Sequence, residues 1–211
     1  MPPPPLAFPA MSMRVAVCIS GRGSNMLALL EALTGDAPAR VVLVISDRPD
    51  AGGLARAAKH GIPTAVLRDP SDPAEWLGLL TTHAVDLVVL AGFLKLVPAQ
   101  VVSQYRGRIV NVHPALLPAF GGPGMYGARV HRAVLESGAR ESGATVHLVD
   151  EVYDRGAILA QERVPVRAGD TPDRLAERVL EAEHRLLPAV VLAAARTGRP
   201  VPLPSPLESS R

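Results

Sequence analysis

Cysteine, dense positive charge and long apolar runs are scarce in this chain of 211 residues. Its one cysteine, Cys18, cannot form an internal disulfide, which favours a reducing compartment, and we expect the cytoplasm. The formal net charge is only +2 and no cluster of Lys and Arg is interleaved with aromatics, so we expect no nucleic-acid partner. No apolar run approaches the roughly 18 to 20 residues of a membrane span, so we expect no membrane partner either.

The signatures of metal sites and of covalent catalysis are also missing. The histidines, including His131 and His147, are scattered, and none stands at zinc-like spacing with a cysteine, so we expect no metal. No serine lies in a nucleophile elbow. Cys18 lies within an apolar run, where packing in the core is a simpler role than nucleophilic attack.

Proline-rich segments mark the two ends of the chain. Residues 1–12 and 199–211 are predicted to be disordered tails, because their composition does not favour a packed element. Between them, residues 13–198 are enough for one domain with a substantial core, and 48% of the sequence is hydrophobic. We therefore expect a single folded domain.

Between the tails, short β-branched apolar runs alternate with longer stretches rich in Ala and Leu. The runs are apolar throughout, as in parallel strands covered on both faces, and the alternation is typical of right-handed crossover units. The predicted strands are 14–19, 41–45, 64–67, 87–90, 109–112, 144–149 and 158–165. This pattern predicts an α/β protein with a doubly wound, mostly parallel twisted sheet flanked by helices, similar to the Rossmann fold.

The first candidate site is the segment 20–25, Ser-Gly-Arg-Gly-Ser-Asn, between the first strand and a helix predicted to begin near Met26. Backbone N–H groups at the start of a helix form a site for a phosphate, and glycines there let the phosphate approach the backbone closely. An ordinary tight turn explains the same residues. The third glycine of a dinucleotide fingerprint and the lysine of a P-loop are both missing.

The second candidate site lies where the apolar strand 109–112 runs into a proline-constrained loop. Asn111 and His113 are two residues apart, so on an extended strand their side chains leave the same face. Ligands of open α/β sheets gather beyond the carboxyl ends of strands, where an amide and an imidazole could meet one reacting atom. Alternatively, Asn111 caps the strand and His113 packs beneath the loop.

The third candidate site is a polar turn, residues 149–158, between the last two predicted strands. It contains Asp150 and Asp154. Aspartates in turns often bond to their own backbone, so a purely structural role remains open for both.

Four segments together resemble the phosphoribosylglycinamide formyltransferases, the folate-dependent enzymes of purine synthesis. They are 20–25, 90–96, 111–118 (Asn-Val-His-Pro-Ala-Leu-Leu-Pro) and Asp154-x-Gly156, and they stand in the family's order across about 13–198. The third segment occurs in folate formyltransferases generally. The first segment favours the phosphoribosylglycinamide formyltransferases among them. The resemblance implies the formyltransferase fold and transfer of the formyl group of 10-formyltetrahydrofolate to the amine of N1-(5-phosphoribosyl)glycinamide, in de novo purine (IMP) biosynthesis.

The resemblance also implies roles for the residues that match the family's motifs. The catalytic trio would be Asn111, His113 and Asp154. The phosphate and ribose of the substrate would be bound by Gly23, Ser24, Asn25 and Glu183. The folate pocket would be lined by Leu94, Lys95, Leu96, Val97 and Asn111. Small-molecule substrates, 10-formyltetrahydrofolate as co-substrate, no metal and a homodimer are implied as well, the last because related enzymes often pair.

The trio has a physical interpretation of its own. An amine that attacks a formyl carbon creates an oxyanion, which needs donors where the negative charge appears, and the Asn111 amide and a protonated His113 would supply them. The Asp154 carboxylate would favour the imidazolium and help to pass the amine proton toward the departing folate nitrogen. We therefore expect a raised pKa at His113 and no covalent intermediate.

Two segments depart from the family's pattern. The loop 119–127 is longer than the Pro-Gly stretch of many members, so no substrate contacts are transferred to it. The segment 69–75 lacks an arginine that some members carry, and Lys95 stands where many have arginine.

Three other functions remain open from the sequence. Methionyl-tRNA formyltransferase shares the 111–118 element but needs a further C-terminal domain for tRNA. Formyltetrahydrofolate deformylase shares the trio but normally carries an N-terminal regulatory domain, and only about a dozen residues precede the first strand here. A nucleotide-binding regulatory module without chemistry is the third, since a fold does not fix a function. Convergence of the trio at one cleft near Gly23 would favour the enzyme.

Overall fold

The structure is a computed structural model that describes residues 12–204. Residues 1–11 and 205–211, which form most of the two predicted tails, lie outside the described residues. Within residues 199–204, the backbone N–H of Leu203 donates to the carbonyl oxygen of Leu159 at 2.8 Å, and the Leu203 side chain packs against the core. This part of the predicted C-terminal tail is therefore held against the sheet.

The described residues form strands and helices in alternation, with two consecutive strands before the last helix. In chain order they are β1 (Met13–Ile19), α1 (Ser24–Ala32), β2 (Ala39–Ser46), α2 (Gly52–Lys59), β3 (Thr64–Val66), α3 (Pro73–Thr82), β4 (Leu87–Leu90), α4 (Ala99–Gln104), β5 (Ile109–His113), α5 (Ala128–Glu136), β6 (Glu141–Leu148), β7 (Ile158–Pro165) and α6 (Pro172–Thr197). All seven predicted strands are present, and their predicted bounds differ from the observed ones by at most three residues.

The seven strands form one sheet with the order β3-β2-β1-β4-β5-β6-β7. The five strands from β3 to β5 are parallel, and β6 and β7 pair antiparallel at one end. The prediction of a doubly wound, mostly parallel sheet is confirmed. No helix within residues 12–204 is both long enough and apolar enough to cross a membrane.

Strand β1 lies at the centre of the sheet and is buried on both faces. Val15, Val17 and Ile19 pack into the apolar layer that contains the buried faces of α1 and α6. Ala16 and Cys18 point to the opposite layer, which contains α3 and α4, because successive side chains of a strand alternate. Burial raises the pKa of the Cys18 thiol, which leaves it unreactive and confirms its predicted packing role.

Helix α6 begins and ends at residues that its sequence specifies. Thr171 is its N-cap and accepts the N–H of Arg174 at 3.3 Å, and Pro172 follows in the first turn. Gly198 ends it in the left-handed conformation. Its buried face packs on β6, β7, α1 and α5, and that face carries Glu183 to the carboxyl end of the sheet.

The strand order reverses at β1, whose neighbours in the sheet are β2 and β4. The loops after β1 and β4 therefore leave toward opposite faces and open a crevice between them. Two hydrogen bonds tie these loops together at its base: Ser20 N–H to the Gly92 carbonyl at 3.0 Å, and Leu94 N–H to Ser20 Oγ at 2.9 Å. The fold thus provides a ligand site at this edge.

Close packing between β6 and β7 gives a first prediction. A Cβ atom at Gly143 would overlap the carbonyl oxygen of Glu162 and would lie 2.6 Å from Leu116 Cδ2. We expect Gly143→Ala to lower the free energy of unfolding by about 2 kcal/mol or more, as overpacking does in other cores. Urea unfolding followed by fluorescence of Trp76, the one tryptophan of the chain, measures the change.

The matched control is Gly78→Ala in α3, where a Cβ atom would meet nothing within 4 Å. Alanine in a helix interior is favoured over glycine by about 0.5–1 kcal/mol, so this variant should be slightly more stable than the wild type. An unchanged urea midpoint for Gly143→Ala would contradict the close approach of the two strands.

Candidate active site

A cavity of about 960 Å³ opens at the carboxyl ends of β1, β4 and β5. All the residues predicted for the site line this cavity: Asn111, His113, Asp154, Gly23, Ser24, Asn25, Glu183, Leu94, Lys95, Leu96 and Val97. The three candidate sites, the segment after β4 and Glu183 therefore converge on one space, although Gly23 and Glu183 are 160 residues apart in the sequence.

The loop after β1 ends at Gly23, the N-cap of α1. Gly23 has a φ of +73°, and a Cβ atom there would lie 3.1 Å from the Cα atom of Gly53, so a larger residue would be strained and crowded. No side chain caps the helix, which leaves the N–H groups of its first turn available to an anion. The helix starts at Ser24, two residues before the predicted start, because Gly23 makes the turn itself.

Asn25 and Glu183 form a buried polar pair at this end of the cavity. Asn25 Nδ2 donates to Glu183 Oε2 at 2.6 Å. Burial raises the pKa of Glu183 to about 7, although the Asn25 hydrogen bond acts to lower it. Among residues 12–204, Asn25 Oδ1 has no hydrogen-bond partner. The pair therefore offers a ligand a carboxyl group that titrates near neutral pH.

His113 and Asp154 form the second buried pair. His113 Nε2 lies 2.8 Å from the carbonyl oxygen of Phe120, and because a carbonyl only accepts, Nε2 carries a proton. His113 Nδ1 faces Asp154 Oδ2 at 3.6 Å. The backbone N–H of Gly122 donates to the same carboxylate oxygen at 2.8 Å. Any proton that His113 gains is therefore held at Nδ1, against Asp154.

The expected raised pKa of His113 is wrong. Burial lowers the pKa of His113, since its side chain is only 4% exposed, and this outweighs Asp154 and the Phe120 hydrogen bond, which both raise it. The pKa of Asp154 is lowered: burial raises it, but the contacts with His147 and His113 and the Gly122 hydrogen bond outweigh burial. The pair therefore rests as neutral imidazole and ionised carboxylate.

Asn111 is oriented by His147, a residue for which no role was predicted. The two residues are directly opposite in β5 and β6. His147 Nδ1 lies 2.7 Å from the carbonyl oxygen of Leu148 and so carries a proton, whereas Nε2 accepts from Asn111 Nδ2 at 3.1 Å. The second Nδ2 proton of Asn111 remains available to a ligand.

His131 is a further histidine of the cavity that sequence reasoning missed. It lies on α5, is 5% exposed and lines the cavity. Burial lowers its pKa, as does the charge of His113. A signal for His131 is present in the sequence, because it stands beside Val130 and Val134 on the buried face of α5. His147 has no such signal, because its face of β6 also carries Thr145.

An apolar wall is formed by the segment after β4. Leu94 and Leu96 are about half exposed and line the cavity, whereas Val97 is buried beneath them. Phe93 packs edge-on against Trp76 of α3, with ring centroids 5.4 Å apart, and so fixes the start of the segment. Such a wall suits a flat aromatic ligand. Within residues 12–204, no three His, Cys, Asp or Glu side chains are placed so that they could hold a metal ion.

Comparisons with known proteins agree with this geometry. The family model described as formyl transferase matches residues 13–191. Phosphoribosylglycinamide formyltransferase from Mycobacterium tuberculosis is 43% identical over 196 residues, covering 90% of this chain and 88% of that protein. The crystal structure of glycinamide ribonucleotide transformylase 1 from Symbiobacterium toebii has a TM-score of 0.84 at 39% identity, covering 91% of this chain and 92% of that one.

A plant protein is similar over a smaller part of its own length. The chloroplastic phosphoribosylglycinamide formyltransferase of Arabidopsis thaliana is 50% identical over 186 residues, which are 84% of this chain and 64% of that protein. This chain therefore spans slightly less than two thirds of the plant relative. The family match, the identities and the shared formyltransferase fold lead to one conclusion. The chain belongs to the formyl transferase family.

Proposed function

We propose that this protein transfers the formyl group of 10-formyltetrahydrofolate to the amine of N1-(5-phosphoribosyl)glycinamide in purine synthesis. The observation that carries the proposal is the convergence of the phosphate loop, the buried Asn25–Glu183 pair and the Asn111–His113–Asp154 trio on one cavity. These groups complement a phosphate, a ribose and a reacting formyl group. The relatives named phosphoribosylglycinamide formyltransferase support the same substrate pair.

The phosphorylated amine binds at the α1 end of the cavity. Its phosphate accepts hydrogen bonds from the backbone N–H groups at Gly23, Ser24 and Asn25, where the helix dipole also favours negative charge. Its ribose hydroxyl groups donate to Glu183. The folate binds against Leu94 to Val97, on the apolar wall, with its formyl group directed toward Asn111.

The reaction needs a donor for the oxyanion and an acceptor for the amine proton. The free Nδ2 proton of Asn111 stabilises the oxyanion that develops as the amine attacks the formyl carbon. His113 Nδ1 and Asp154 then hold the amine proton between them before it passes to the folate nitrogen that leaves. Neutral His113 and ionised Asp154 are the states that can accept this proton. No covalent intermediate is required.

The proposal includes the compartment and assembly expected from the sequence. We propose a cytoplasmic enzyme that acts on small molecules, and a homodimer as its assembly. A deformylase uses the same trio to transfer the formyl group to water. An amine acceptor is favoured here by the phosphate loop, together with Glu183 at hydrogen-bonding distance from Asn25.

The test follows loss of formyl from 10-formyltetrahydrofolate with and without glycinamide ribonucleotide. We expect turnover only with the amine present. Asp154→Asn should lower kcat by about 10²- to 10⁴-fold, because it removes the charge that shares the transferred proton. Glu151→Gln removes one carboxylate from the same turn, at an exposed residue paired with Arg106, and should retain wild-type turnover.

Two outcomes would overturn the proposal. Equal formyl loss with and without the amine would point to a hydrolase, and no formyl loss in either condition would favour a binding module. Equal activity of Asp154→Asn and Glu151→Gln would show that Asp154 takes no part in the reaction, without changing the proposed substrates.

The titration of Glu183 gives a pH prediction. Its pKa is about 7, so the carboxyl group gains a proton as the pH falls from 8 to 6 and loses acceptor capacity for the ribose. We expect KM for the amine substrate to rise about tenfold over this range, the worth of one hydrogen bond to a charged acceptor. Glu183→Gln is neutral at every pH and should have a high KM.

Titration of the substrate itself contributes equally to both proteins, so the informative quantity is the ratio of their KM values at each pH. This ratio should be large at pH 8 and approach one at pH 6. A ratio that does not change with pH would show that Glu183 keeps one protonation state across the range.

A further inference from the structure

Two contacts of the catalytic pair come from one loop, residues 115–122, which we call the strap. The Phe120 carbonyl accepts from His113 Nε2 at 2.8 Å, and the Gly122 N–H donates to Asp154 Oδ2 at 2.8 Å. Phe120 has a φ of +56°, an uncommon conformation for a bulky residue. The position of the strap therefore decides which nitrogen of His113 carries its proton.

The strap is held from behind by Thr145 on β6. Its hydroxyl donates to the Ala115 carbonyl at 2.6 Å and accepts the Leu117 N–H at 3.1 Å. Thr145 is fully buried, so these bonds form without competition from water.

Gln161 on β7 completes this network. Its Nε2 group donates to the Leu117 carbonyl at 2.9 Å and to Thr145 Oγ1 at 2.9 Å. Both protons of the amide are thus used, and the Thr145 hydroxyl makes one donated and two accepted bonds, its full capacity. Loss of the Gln161 donors would leave the Leu117 carbonyl without a side-chain partner next to the strap residues that contact the catalytic pair.

The sheet register places these side chains in one row. His113 on β5 is directly opposite Thr145 on β6, and Thr145 is directly opposite Gln161 on β7. Side chains of directly opposed residues lie on the same face. The row therefore runs from the catalytic histidine to the edge strand beneath the strap, and neither Thr145 nor Gln161 lines the cavity formed by the described residues.

We propose that Gln161 is a positioning residue that, through Thr145 and the strap, holds His113 in the tautomer with its proton on Nε2 and its Nδ1 free for Asp154. The role in turnover rests on the proposed function, whereas the role in the tautomer does not. Without the Phe120 acceptor, the proton of neutral His113 would move to Nδ1, where Asp154 accepts it, and the ring could no longer take a proton on that side.

The test replaces Gln161 with methionine, which has a similar volume and no donors. Gln161→Met should lower kcat by about 10- to 100-fold with little change in KM for either substrate, as small displacements of catalytic groups do. Arg163→Met is the matched control. Arg163 lies two residues further along β7, is exposed and pairs with Glu141, so its loss should leave kcat unchanged.

The decisive readout is the imidazole ¹⁵N spectrum of each protein without substrates, assigned with His113→Gln. The wild type and Arg163→Met should present His113 protonated at Nε2 at pH 8, and Gln161→Met should present it at Nδ1 or in exchange between the two. A folded Gln161→Met protein with the wild-type tautomer would overturn the proposal. A tautomer change in a protein that transfers no formyl group would support the positioning role and refute the proposed function instead.

Discussion

The structure depends on a charged carboxylate and an imidazole held together almost out of contact with water. The His113 and Asp154 side chains are 4% and 10% exposed. Burial of such groups is costly unless hydrogen bonds satisfy them. Here the bonds come from the strap, through Phe120 and Gly122, and His147 Nε2 lies 3.5 Å from Asp154 Oδ1. Much of the architecture at this end of the sheet serves to hold those donors and acceptors in position.

The antiparallel end of the sheet explains why this arrangement is rigid. A parallel sheet alone would bring the ends of β1, β4 and β5 together, which is sufficient for a phosphate loop and an apolar wall. Strands β6 and β7 add His147 opposite Asn111, and Thr145 opposite His113. The turn between them carries Asp154. The substrates are thus bound mainly by the parallel part, and the reacting groups are oriented by the antiparallel part.

The sequence was sufficient for the fold and for the residues that line the cavity. Uniformly apolar strands are a local signal, so they can be recognised without knowledge of the tertiary structure. The sign of the His113 pKa shift could not be read, because it depends on burial by residues distant in the sequence. His147 and Gln161 were missed for a related reason: their roles come from strand register, which an antiparallel pairing fixes only once both strands and their turn are in place.

The most direct test of the account follows the carbon itself. The protein would be mixed with 10-formyltetrahydrofolate carrying ¹³C in its formyl group and with glycinamide ribonucleotide, and the label would be followed by NMR. We expect the label to move to an amide formyl carbon on the ribonucleotide, in a one-to-one ratio with the folate consumed. Appearance of the label in free formate, with the amine unchanged, would contradict the central claim that this cavity aligns an amine with the formyl group.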